Sequence, residues 1–81
     1  MAIIVVRAPI PGIFYDKPAP DQPPFKTEGD SVAPGDSLAL VEVMKTFNPV
    51  KSSKNGRFVR YLVENEDELM AGQPIAEIDV D

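Results

Sequence analysis

The chain has 81 residues, 43% of them hydrophobic and 26% charged, enough for one small domain with a modest core. It holds no His and no Cys, which excludes Ser-His-Asp and Cys-His catalysis, a histidine general base, disulfides and the usual zinc sites; no catalytic or metal-ligating residue is nominated. A net charge of −5 argues against nucleic acid, whose phosphates reward clustered Lys and Arg, and no apolar run approaches the ~20 residues of a membrane span.

Taken in chain order, the predicted elements are short strands separated by turns. Ile3 to Arg7 is β-branched and stops at the Pro9–Gly12 turn cluster. The apolar opening from Met1 to Val6 is too short for a signal-peptide core, and with no Cys to mark an oxidising compartment the expected location is the cytoplasm. Leu38 to Val43 follows the turn signal Pro34-Gly35-Asp36. Arg57 to Val63 follows Asn55-Gly56, read as the strongest hairpin signal in the chain. Glu64 to Met70 has helical composition but is too short and polar to form a helix. Its acidic residues Glu64, Glu66, Asp67 and Glu68 read as a solvated surface that can steer basic partners. Ile75 to Val80 follows Gly72-Gln73-Pro74. Short strands, frequent turns and nine prolines predict an all-β sandwich or flattened barrel.

The two halves resemble each other. Val32 to Val41 lies over Leu69 to Ile78 at an offset of 72 − 35 = 37, with Gly35 over Gly72. Val6-Arg7 lies over Val50-Lys51, and Gly12-Ile13-Phe14 over Gly56-Arg57-Phe58, at an offset of 56 − 12 = 44. The difference of seven residues is an insertion in the first half, assigned to Lys17-Pro18-Ala19-Pro20-Asp21-Gln22-Pro23. A quasi-two-fold pair of sheets follows, each half supplying strands to both. The insertion is expected to protrude, since its prolines cannot donate to a sheet ladder.

The stretch Leu38-Ala39-Leu40-Val41-Glu42-Val43-Met44-Lys45-Thr46-Phe47-Asn48-Pro49-Val50 is nearly continuous and apolar, with a lone cation, Lys45, in it. Burying an ammonium is costly, so the chain must pair it or turn it into water. The repeat supplies the turn: residues 43 to 50 join the halves, which predicts a tight hairpin centred on Met44-Lys45. Such turns need φ > 0 and prefer Asn or Gly. A locally unfavourable Met-Lys at an exposed tip points to residues selected for function; the alternative from pattern alone is an ordinary hairpin lysine that aids solubility.

Glu42-Val43-Met44-Lys45 resembles the biotin-attachment motif Glu-(Ala/Val)-Met-Lys of biotin carboxyl carrier domains. Arg7-Ala8-Pro9-Ile10-Pro11-Gly12-Ile13-Phe14-Tyr15 looks like that family's opening strand and turn. Gly29-Asp30-Ser31-Val32 with Pro34-Gly35-Asp36 is similar to its G-(D/Q)-x-V-x-x-G-(D/Q) stretch, and Gly72-Gln73-Pro74-Ile75 to its closing strand. The insertion falls where carriers of the bacterial acetyl-CoA carboxylase type have a "thumb". The resemblance implies one biotinyl domain over residues 1–81, built as two four-stranded antiparallel sheets. It implies biotin joined to Lys45 by a biotin protein ligase, with Glu42, Val43, Met44 and Thr46 as ligase-recognition positions. It further implies a carrier of carboxyl groups from a biotin carboxylase to a carboxyltransferase, with Lys17, Pro18, Ala19, Pro20 and Asp21 as the thumb leaning on biotin. Val43 and Thr46 depart from the commonest residues of the motif, and Lys17 stands where a threonine is common. Rival readings are a lipoyl domain, which typically reads Asp-Lys-Ala at the hairpin, an unmodified interaction module, and a carrier of another biotin-dependent carboxylase or decarboxylase.

Overall fold

A computed structural model describes residues 2–80 as eight strands and no helix. The strands are β1 (Ala2–Arg7), β2 (Gly12–Tyr15), β3 (Ser31–Val32), β4 (Ser37–Val43), β5 (Thr46–Lys51), β6 (Gly56–Tyr61), β7 (Glu68–Leu69) and β8 (Pro74–Val80). They form two four-stranded antiparallel sheets, ordered β1-β8-β6-β3 and β5-β4-β2-β7. Replacing each strand of one order by its repeat mate, β1 by β5, β8 by β4, β6 by β2 and β3 by β7, generates the other. The expected two-fold architecture is therefore present, with strands of each half in both sheets.

The correspondence reaches single hydrogen bonds. Ala8 N–H donates to Gln73 O, and its counterpart Ser52 N–H donates to Asp36 O, both at 2.9 Å. Asp36 Oδ2 accepts the N–H of Ala33 at 3.0 Å, and Gln73 Oε1 that of Met70 at 2.9 Å. The core pairs off in the same way: Phe14 with Phe58, Val32 with Leu69, Leu38 with Ile75, Ala39 with Ala76, Val41 with Ile78. Each inner face is made by strand alternation, so the same positions of both halves meet across the sandwich. Phe14 is fully buried and contributes about 2–3 kcal/mol by leaving water. Tyr61 closes one end, its ring against Phe14 and Phe58 and its hydroxyl donating to Leu38 O at 2.7 Å. Burial pushes the Tyr61 hydroxyl well above its ordinary range.

Gly12 and Gly56 are required by proximity. A Cβ on Gly12 would stand 2.5 Å from Glu42 O, and one on Gly56 would strike Asp79 O, the symmetry counterpart. Gly56 corrects one reading. Asn55-Gly56 does not close a hairpin, because β5 and β6 belong to different sheets and the chain crosses the sandwich there. Gly35 and Gly72 are turn residues as expected, with φ of 91° and 83°.

Candidate functional site

β4 and β5 pair antiparallel from Ser37↔Lys51 to Val43↔Thr46, leaving Met44 and Lys45 as a two-residue turn. Both have left-handed backbones, φ 48° and 67°, the geometry of a type I′ turn. Right-handed sheet twist selects that turn, and no Asn or Gly is present to relieve it. The lysine thus sits in water at the apex, and Met44 beside it is 93% exposed. Val43 turns inward and packs half-buried against the core, while Thr46 is exposed. Glu42 faces the outside of the sheet, where Tyr15 Oη donates to its Oε1 at 3.0 Å. That hydrogen bond is the main reason the Tyr15 hydroxyl is raised above its ordinary range. Asn48 Nδ2 donates to the carbonyls of Val41 and Thr46 at 3.2 Å each, fastening the base of the hairpin.

Two surfaces flank the apex. One is a shallow apolar patch of Ile10, Pro11, Val43, Met44, Thr46 and Asn48. The other is a cleft of about 330 Å³ beneath the insertion. Its floor is the outer face of the β5-β4-β2 sheet: Tyr15, Leu40 and Phe47, with the two rings 5.8 Å apart. Its roof is Lys17, Pro18, Ala19 and Pro20, and Asn65 and Glu66 wall one side. Phe47 is 54% exposed, an aromatic left facing solvent two residues from Lys45.

The insertion does not simply project. A hydrogen bond from Phe25 N–H to Asp16 O (2.8 Å) closes its base, and one from Gln22 N–H to Ala19 O (3.0 Å) folds its tip. At the base, Lys26 Nζ donates to Asp36 Oδ2 at 3.0 Å and to Ser31 O at 2.8 Å. So held, the loop roofs the cleft, with Tyr15 and Leu40 half-buried on the floor below while Phe47 stays exposed. Of the five predicted loop residues, Lys17, Pro18, Ala19 and Pro20 line the cleft; Asp21 is exposed and does not. The sequence reading missed Tyr15, Leu40, Phe47, Asn65 and Glu66 as cleft residues. Period-two alternation around Phe14 and Val41 does place Tyr15, Leu40 and Phe47 on one solvent face, and two aromatics there are the available signal. The acidic run from Glu64 to Glu68 is exposed at each of its four carboxylates, and no cluster able to hold a metal ion exists among the described residues. No helix among them is long and apolar enough to cross a membrane.

Residues 4–78 match the family described as "Biotin-requiring enzyme". The biotin carboxyl carrier protein of acetyl-CoA carboxylase from Streptococcus pyogenes is 38% identical over 74 residues, which are 91% of this chain and 45% of that protein. The chloroplastic biotin carboxyl carrier protein of acetyl-CoA carboxylase 1 from Arabidopsis thaliana is 37% identical over 70 residues, 86% of this chain and 25% of that one. The crystal structure of the Kluyveromyces lactis urea carboxylase superposes with a TM-score of 0.78 at 28% identity, covering 98% of this chain and 6% of that one. The chain spans less than half the length of these relatives.

Proposed function

The chain belongs to the biotin-requiring-enzyme family, and on that premise we propose that it is a biotin carboxyl carrier domain whose attachment residue is Lys45. The observation that carries this is the apex: a lysine held in water by two consecutive left-handed non-glycine residues. A strained turn of that kind persists only where the surrounding ladder over-determines it, and such strain concentrates at functional sites. The relatives named as carriers of acetyl-CoA carboxylase favour that complex over other biotin-dependent carboxylases.

Joined to Lys45 as an amide, biotin supplies a ureido nitrogen that accepts a carboxyl group at a biotin carboxylase and yields it at a carboxyltransferase acting on an acyl-CoA, here in the cytoplasm. The domain itself catalyses nothing; it places the cofactor. An amine attacks only as the free base, so the biotin ligase must supply the base, and the carrier must present one amine among its lysines. Lys17, Lys26, Lys51 and Lys54 carry the same side chain, so selectivity rests on the apex. Met44 and Thr46 offer exposed contacts there. Glu42 is a carboxylate fixed in place by Tyr15. Val43 acts from below by packing the turn onto the core. The rigid sheet keeps the tethered group at high effective concentration near two catalytic centres. The cleft beneath Lys17 to Pro20, with its aromatic floor, suits the apolar side of a retracted ring, which supports reading the insertion as a thumb.

Intact-protein mass spectrometry after co-expression with biotin ligase tests the assignment. One biotinoyl increment is expected on the parent and none on Lys45→Arg. Equal labelling of both would refute it, and a lipoyl increment would favour the lipoyl reading.

A further inference from the structure

The two halves agree so closely that one mismatch between them is informative. In the first half, Gly29 has φ 88° and its N–H donates to Phe58 O at 2.9 Å. Its counterpart at offset 37 is Glu66, with φ 74°, whose N–H donates to Phe14 O at 2.6 Å. The backbone requirement is the same, and glycine meets it without strain. Glutamate in that conformation carries a steric cost that glycine does not, and it lacks the short polar side chain that eases Asn or Asp.

What differs between the halves at this point is the cleft, and Glu66 lines it. The other polar side chains of the wall and floor are weaker, neutral acceptors already sharing a hydrogen bond, or of the wrong kind. Asn65 Oδ1 accepts the N–H of Asp16 at 3.0 Å, and Tyr15 Oη is given to Glu42. Lys17 offers only donors. The Glu66 carboxylate adds the smallest share to the raised Tyr15 hydroxyl, after the Glu42 hydrogen bond, burial and the Glu42 charge. Among the described residues it has no side-chain hydrogen bond or ion pair of its own: the ion pairs are Lys26–Asp36 and Arg60–Glu77.

We propose that Glu66 is the polar contact that seats the tethered ring in the cleft, its carboxylate accepting a hydrogen bond from a ureido N–H while the ring's apolar side lies over Tyr15 and Phe47. The proposal rests on the reading of Lys45 as the biotin-bearing lysine. A ureido group presents two N–H donors, and a half-open cleft retains it against water only through a strong acceptor; hydrogen bonds to carboxylates are about twice as strong as neutral ones. Glu66 also discriminates. It accepts from a ring that keeps both donors and repels one that bears a carboxylate in place of a donor, while Lys17 across the cleft softens that repulsion. The second half of the chain thereby contributes a specificity residue to a site roofed by the first.

The test uses the biotinylated protein carrying ¹⁵N-labelled biotin, with loading first established by intact mass. Absence of a biotinoyl increment on Lys45 would overturn the carrier reading and this proposal with it. In the loaded protein, solvent exchange of the ureido protons, measured by NMR against free biotinyl-lysine, is expected to be slower by roughly three- to tenfold. Glu66→Gly is expected to abolish that protection and to raise the unfolding midpoint, because strain is relieved as the contact is lost. Glu66→Gln, which keeps the strain but not the charge, should retain only part of the protection. Ureido exchange equal in the parent and Glu66→Gly would leave Glu66 a turn residue and overturn the proposal.

Discussion

Replacing the apex Met44-Lys45 by Asn-Gly should make the protein more stable and leave it unable to carry its cofactor. Both residues sit at φ > 0, which costs an ordinary side chain about 1 kcal/mol relative to Gly, and somewhat less relief comes from Asn. Met44 is 93% exposed, so removing it forfeits almost no buried apolar area to offset the gain. The added unfolded-state freedom of one glycine subtracts about 0.7 kcal/mol. The net expectation is roughly 1 kcal/mol of stabilisation, with Asn alone at position 44 giving about half. Urea unfolding reads this as a rise in midpoint of about 0.5–1 M at unchanged slope, since the surface exposed on unfolding hardly changes. Avidin capture after treatment with biotin ligase should be retained by Met44→Asn, at reduced rate, and lost by the double variant. A neutral or lowered midpoint for the double variant would refute the claim that strain is stored at the apex.

The close approaches predict that Gly12→Ala and Gly56→Ala each lower stability by about 1–3 kcal/mol in the same urea assay, because the Cβ meets backbone carbonyls that cannot move aside. Acid should weaken the fold through Asp30 and Asp36. Each is held below its ordinary value of 3.8, Asp30 first by the Thr27 N–H and Asp36 first by the Ala33 N–H and then by Lys26. The unfolded chain therefore takes up these protons first, so their contribution is present above pH ~4 and is lost as the pH falls further; Asp36→Asn should flatten the decline of unfolding midpoint with acid. Alkali should act through Tyr61, whose folded hydroxyl is raised above 10.0 by burial: stability is intact below that pH and falls above it, a loss that Tyr61→Phe removes. Deleting Lys17 to Pro23 should leave the circular dichroism of the fold intact while slowing transfer in a reconstituted carboxylase; an unchanged transfer rate would show the cleft to be dispensable.

Alternation and repetition made most of this architecture legible in the sequence. β1, β4, β6 and β8 lie where β-branched runs bounded by turn residues placed them, within a residue or two. The offsets of 37 and 44 carried the strand exchange between sheets and located the seven-residue insertion. The lysine was found because one charge in an apolar run needs an exit, and the repeat supplied a bend at that point. β3 and β7 escaped notice because two residues are too few to show a period. Asn55-Gly56 misled because a glycine selected for closeness to a neighbouring carbonyl looks, in sequence, like one selected for a turn. Glu66 carried no signal by itself, since nothing in its type announces a left-handed backbone. Only its alignment with Gly29 does so, and that becomes meaningful once φ is known.

The pairing of Ala2 with Val80 is the symmetry mate of the pairing of Thr46 with Val43. The same strand pair thus holds both described ends of the chain in one half and the lysine-bearing turn in the other. A larger assembly gripping this module through β1 and β8 would hold it by its handle, with the reactive apex free to pivot.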